Sequence, residues 1–191
     1  MLQSLPKSEL SLIDISKLPR AGVKGKDLSP WITSKNYEVG SKSNHAYLQS
    51  DGVLVARLSP GELLLLSDAT NASPDAMINS LEDSHECYAV RRQDSHYWFA
   101  VMGSRSPAMF AKLCGVDLSP HIFVDHSVAQ TPVARASAVI VRHDIEDTLC
   151  YYLLGESSTI AYMWNCLIDA MREFDGQALD SAECGPGIIA P

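Results

Sequence analysis

The side chains able to do acid–base, nucleophilic or metal chemistry are scattered along this chain rather than gathered into signatures. Six histidines place His121 and His126 in one loop, His85 two residues ahead of Cys87, and His143 in a predicted turn. No Cys-x-x-Cys pair accompanies them, so they form no recognised metal-ligand set, and loop or surface histidine is the expectation. His45, His96 and Ser127 supply the residue types of a base and a nucleophile. No Gly-x-Ser-x-Gly and no Cys/His signature frames them, so that grouping is arbitrary at the level of sequence. The glycines form neither Gly-x-Gly-x-x-Gly nor a Gly-Lys-Ser/Thr loop, which leaves no backbone cradle for a dinucleotide or a nucleoside triphosphate. These residues predict no catalytic, cofactor-binding or metal centre belonging to the chain itself.

One carboxylate stands apart. Asp117 follows the Gly115 helix stop in Cys114-Gly115-Val116-Asp117-Leu118-Ser119-Pro120. From a loop over a sheet it can hold a cationic amine by charge-assisted hydrogen bonds. Asp ahead of Leu-Ser-Pro is equally suited to bond nearby backbone N–H groups as a turn residue, and that is the favoured expectation. Arg91 and Arg92, with Gln93, Asp94, Ser95 and His96 behind them, are expected at a small polar hairpin tip.

Those side chains need elements to hold them. The firmest is the last helix, where Ile160, Met163, Trp164, Leu167, Ile168, Met171 and Phe174 recur at three- and four-residue spacing and define one apolar stripe. Ser157, Ser158 or Thr159 can cap it and Asp175-Gly176 can stop it. A second helix runs from Ser106-Pro107 to Gly115 with Met109, Phe110, Leu113 and Cys114 inward, and a third starts at Ser73-Pro74 with Met77, Ile78 and Leu81 inward. β-Branched and aromatic runs predict strands over 52–58, 63–67, 88–92, 97–102, 133–141 and 149–154. Ser59-Pro60-Gly61 and Asp144 to Asp147 are expected as hairpin turns, and strands joined so closely must pair antiparallel. The class is therefore α+β.

The same order of elements is written twice. A strand running into Gly, a helix, two adjacent apolar strands and an amphipathic helix occur first from Ala21 to Ile78 and again from Tyr97 to Phe174. Gly25 to Gly103 is 78 residues, Arg57 to Arg142 is 85, and Met77 to Met163 is 86. A diverged duplication accounts for these offsets, with halves about 18–86 and 88–175 in one pseudo-symmetric domain over 1–175. The remainder, 176–191, has no periodicity and is expected to be a flexible tail.

Composition bounds the partners. At 191 residues and 46% hydrophobic the chain can bury a substantial core. A formal charge of −8, with no cluster of Lys and Arg, offers no field for phosphates, so neither nucleic acid nor an anionic membrane surface is expected. No apolar run is long enough to cross a bilayer, and Met1 to Lys7 does not have the form of a secretory leader. Five cysteines, an odd number, fit a reducing compartment, so a cytoplasmic location is expected.

Several phrases resemble the gamma subunit of heterotetrameric sarcosine oxidases. They are Phe99 to Pro107, Phe110 to Leu118, Thr131-Pro132-Val133-Ala134-Arg135 and the Tyr162-Met163-Trp164 helix ending Glu173-Phe174, with Arg20 to Gly25 and Asp51 to Leu66 in the first half. That subunit is in turn similar to the folate-binding domain of glycine-cleavage aminomethyltransferases, which implies duplicated strand and helix units, antiparallel sheets and exchanged first strands. In the transferases an Asn-Asp pair follows the corresponding helix and its Asp handles the amine; here Val116-Asp117 stands in its place. The Lys-Gly-Cys-Tyr-x-Gly-Gln-Glu phrase of the iron–sulfur-associated folate-binding relatives has no counterpart. The resemblance implies a noncatalytic subunit of a flavoenzyme that oxidatively demethylates sarcosine to glycine. FAD, FMN, NAD and tetrahydrofolate are then expected in the partner alpha and beta subunits, beside a small delta subunit, and none in this chain. Two alternatives remain: the small subunit of an N-methylglutamate dehydrogenase, and a free-standing tetrahydrofolate-dependent transferase using Asp117.

Overall fold

A computed structural model of the chain describes residues 9–26, 28–68, 74 and 86–180. Eleven strands among them build two sheets. The first half supplies β1 (Ser11–Asp14), β2 (Arg20–Gly25), β3 (His45–Leu48), β4 (Leu54–Ser59) and β5 (Glu62–Leu66). The second supplies β6 (Cys87–Val90), β7 (His96–Met102), β8 (Val128–Val133), β9 (Ala136–Arg142), β10 (Cys150–Glu156) and β11 (Gln177–Leu179). Helices α1 (Ser29–Ser34), α2 (Arg92–Ser95), α3 (Ser106–Phe110) and α4 (Ile160–Met171) join them.

The sheet orders are β11-β1-β7-β10-β9-β8 and β3-β4-β5-β2-β6. Two pairings cross the middle of the chain: β1 pairs antiparallel with β7, and β6 pairs antiparallel with β2. Set side by side, β1-β7-β10-β9-β8 and β6-β2-β5-β4-β3 correspond strand for strand. Every ladder is antiparallel except β1 with β11.

Period-two alternation decides what each sheet face covers. Leu54, Ala56, Leu64 and Leu66 of one sheet meet Trp98, Ala100, Tyr152 and Leu154 of the other in a shared apolar core, closed by Ile13, Val128 and Val141. The opposite face of the six-stranded sheet, with Tyr97, Phe99, Tyr151 and Leu153, packs on Met109 and Phe110 of α3 and on Met163, Leu167 and Met171 of α4. Ala21, Val23, Val55 and Leu63 on the far face of the five-stranded sheet meet Leu28 and Ile32 at α1.

Most expected elements are present, with informative departures. Residues 133–141, expected as one strand, are the end of β8, a turn and β9; Ala134 and Arg135 take left-handed φ of 46° and 68° and fold the run into a hairpin. Arg91 to His96 is no hairpin tip, because β6 and β7 lie in different sheets and α2 carries the chain between them. The last helix keeps its stripe, but Ser157–Thr159 form a 3₁₀ turn and give no side-chain cap; the Thr159 hydroxyl donates instead to the Glu156 carbonyl at 2.9 Å. A 3₁₀ turn, Arg172–Phe174, continues it to the expected stop at Asp175, φ 52°. The second helix is shorter than its punctuation suggests, α-helical only over Ser106–Phe110. Within the expected tail, Gln177–Leu179 forms β11 against β1. The helix expected from Ser73-Pro74, with Met77, Ile78 and Leu81, lies outside the described residues. No helix among the described residues is long and apolar enough to cross a membrane.

Candidate functional site

Polar side chains converge where the two sheets meet edge to edge. β3 and β8, the outer strands of their sheets, are joined by a bridge between His45 and Ser127. Around it the backbone repeats itself. Asn44 and His126 both adopt left-handed φ, 55° and 65°. The Asn44 N–H donates to the Arg57 carbonyl (2.7 Å) and the His126 N–H to the Arg142 carbonyl (3.0 Å). Ala46 N–H donates to the His126 carbonyl (2.8 Å), and Val128 N–H to the Asn44 carbonyl (3.1 Å). Asn and His are among the few side chains that tolerate this conformation at modest cost.

Arg142 is the hub of the second-half side. Its guanidinium, 8% exposed, forks onto Asp144 (3.0 and 2.5 Å) and donates to the Pro120 and Phe123 carbonyls (2.9 and 2.6 Å). The hydrogen bonds to Asp144 raise its pKa, so it stays charged, and those to the Pro120 and Phe123 carbonyls tie the loop before β8 to the end of β9. Arg57, its counterpart, is also buried and donates to the Gly40 carbonyl at 3.2 Å. Beside Arg142, Asp125 Oδ1 accepts from the N–H groups of His126 and Asp144, both at 2.9 Å. Its Oδ2 lies 3.7 Å from His126 Nε2. The His126 ring stacks on that of buried His143 at 5.3 Å and 17°, and stands 6.4 Å from His45. Burial first, then Lys42 and His126, lowers the His45 pKa, so its imidazole is neutral near pH 7.

Where the shared core runs out, a cleft of about 320 Å³ opens on the same face of β8, β9 and β10. Gln130, Pro132, Val139, Leu154 and Glu156 line it together with His96. Gln130 spans the gap between sheets, donating to the Leu58 carbonyl (2.9 Å) and to the Asn44 side chain (2.8 Å). This volume lies at the lower end for small-molecule sites. Below it sits a chain of charges: Arg92 bridges Glu62 and His96, each at 2.5 Å. Burial, reinforced by Arg92 and Arg20, lowers the His96 pKa to about 4. Arg20 is enclosed by carbonyls, donating to Ser16 (2.7 Å), Leu18 (3.0 Å), Gln93 (3.0 Å) and His96.

The residues singled out from sequence fall in three places. Asp117 is exposed, and its Oδ1 accepts the Ser119 N–H at 2.9 Å. The Ser119 hydroxyl first, and then that backbone bond, hold its pKa below the usual carboxylate range. His45 and Ser127 meet at the bridge, whereas His96 belongs to the Arg92 network. The loop histidine His126 and the turn histidine His143 come together with Asp125, a grouping that linear spacing misses. The 85-residue offset between Arg57 and Arg142 does not point to it, because Asn44 and His126, which take matching left-handed positions, are 82 residues apart.

No family model matches the chain, and no curated protein does. Solved structures do. A chain of the heterotetrameric sarcosine oxidase from Corynebacterium sp. U-96, in complex with pyrrole 2-carboxylate, superposes with a TM-score of 0.75 at 17% identity. The match covers 93% of this chain and 91% of that one. This chain has that fold. The glycine cleavage system aminomethyltransferase T from Bartonella henselae matches with a TM-score of 0.63 at 15% identity, over 90% of this chain but 48% of the transferase. The likeness to the oxidase chain therefore covers most of both chains, and that to the transferase takes in about half of the larger protein.

Proposed function

We propose that the chain is the gamma-type subunit of a heterotetrameric, sarcosine-oxidase-like flavoenzyme, serving assembly rather than chemistry. The observation that carries this reading is mutual coverage: 93% of this chain and 91% of an oxidase chain share one fold. The strand-for-strand correspondence of the sheets, with β1 and β6 exchanged, supports reading the fold as a duplicated unit with swapped first strands. The absence of nucleotide-binding phrases supports placing FAD, FMN, NAD and tetrahydrofolate in alpha and beta partners. Asp117, exposed and turned back onto Ser119, supports a turn role over amine binding. Among described residues Ile122 and Val124, 61% and 50% exposed within one loop, are apolar surface available to a partner.

Affinity purification of the tagged chain from its own cells tests this. Two large flavin-bearing subunits are expected in the eluate, with peroxide formed on adding sarcosine. Turnover of N-methylglutamate in place of sarcosine would assign the complex to the dehydrogenase relatives. The partial match to aminomethyltransferase T favours one competing reading, a folate-dependent transferase. Recovery of the chain alone, with saturable tetrahydrofolate binding lost in Asp117→Asn, would establish that reading instead.

A further inference from the structure

We propose that Asp125, His126 and His143 form a site for one divalent transition-metal ion of the zinc class, with His45 beside it as a further imidazole. The site is independent of the assembly role proposed above. One donor atom from each of the three residues lies within 4.8 Å of the other two. A tetrahedral ion with bonds of about 2.0–2.1 Å holds its donors roughly 3.3 Å apart, so the cluster has to contract by about 1.5 Å at its widest. The Asp125–His126 pair is already at 3.7 Å, and their side chains, 43% and 31% exposed, lie at the mouth of the cluster over buried His143.

The surroundings fit a cation. Asp125 Oδ1 is held by the His126 and Asp144 N–H groups, which leaves Oδ2 as the donor facing His126. Such outer bonds are how proteins orient a ligating carboxylate. The nearby guanidinium of Arg142 is engaged on both nitrogens of its fork by Asp144, so its charge is matched locally rather than set against an incoming ion. Two imidazoles and one carboxylate with one open side favour zinc, cobalt or nickel over magnesium or calcium, which prefer all-oxygen sets. The site lies on the seam between halves, so an ion there would clamp the loop before β8 to the turn after β9.

The test is metal titration of the isolated, chelator-stripped full chain. Zn²⁺ affinity is read by competition with a chromophoric chelator, and Co²⁺ ligation by its visible absorption. Two variants are compared with the parent: His126→Asn and Asp125→Asn. Asparagine already occupies the equivalent left-handed position at Asn44, so the first keeps the backbone, and circular dichroism checks both. One equivalent of Zn²⁺ is expected in the parent, with binding at least tenfold weaker in each variant and a zinc-dependent rise in Tm in the parent alone. Less than one equivalent bound by the parent at micromolar zinc, or parental affinity in either variant, overturns the site.

Discussion

At the scale of single residues, His96 makes the chain sensitive to mild acid. Its pKa falls from 6.5 in the unfolded chain to about 4 in the fold, because it is partly buried against Arg92 and Arg20. Between those values the unfolded chain binds the extra proton, so stability declines as pH drops from about 6.5 to about 4 and is unaffected by this group above that range. The full shift corresponds to roughly 3 kcal/mol; His96 is only half-buried, and solvent screening reduces its share to on the order of 1 kcal/mol. Urea unfolding of His96→Gln should show a shallower loss over this interval than the parent; an identical slope would place the acid sensitivity elsewhere. Arg142 makes a different prediction. Arg142→Met leaves the Asp144 carboxylate and the Pro120 and Phe123 carbonyls without their donor, at a cost of about 3 kcal/mol in denaturant unfolding. Arg142→Lys restores the charge but not the fork, so it should recover only part of that loss.

Among the elements, α4 is the one whose packing was plain from residue spacing. Its stripe buries Met163, Leu167 and Met171 and sets Trp164 edge-on to Phe99 at 5.2 Å. Leu167→Ala removes a fully buried side chain and should lower stability by about 3 kcal/mol, whereas exposed Asn165→Ala should change it by less than about 0.5, both read by urea midpoint. Strong local signals account for this success: a twelve-residue helix repeats its apolar period more than three times. β1, β3 and β11 have four residues or fewer, too few for alternation to stand out, and were not foreseen. The β8–β9 turn was missed because it uses Ala134 and Arg135 at positive φ instead of Gly or Asn. The Asp125–His126–His143 grouping is hidden for the same reason: it follows from the β8–β9 register, Val128 opposite Val141, which sets His126 opposite His143, and that hairpin is not legible in the sequence.

For the molecule as a whole, the pairings of β1 with β7 and of β6 with β2 make the two parts of the chain depend on each other in folding. Dividing the chain between Glu86 and Cys87 leaves the first fragment with β1 but no β7 to pair it, and the second with β11 but no β1 beside it. Each fragment also loses one wall of the shared core, exposing Leu54 and Leu64 on one side and Trp98 and Tyr152 on the other. Neither half retains a closed set of layers, and burying apolar surface on both sheet faces is the main source of stability in such a fold. Each fragment alone should therefore bind a hydrophobic dye and melt without a cooperative transition. Mixed in equal amounts, the two should regain a single transition, because every strand pair and the whole core are re-formed between them. A cooperative melt from either fragment by itself would mean that the β1–β7 and β2–β6 pairings are dispensable and that the two halves are separate folding units.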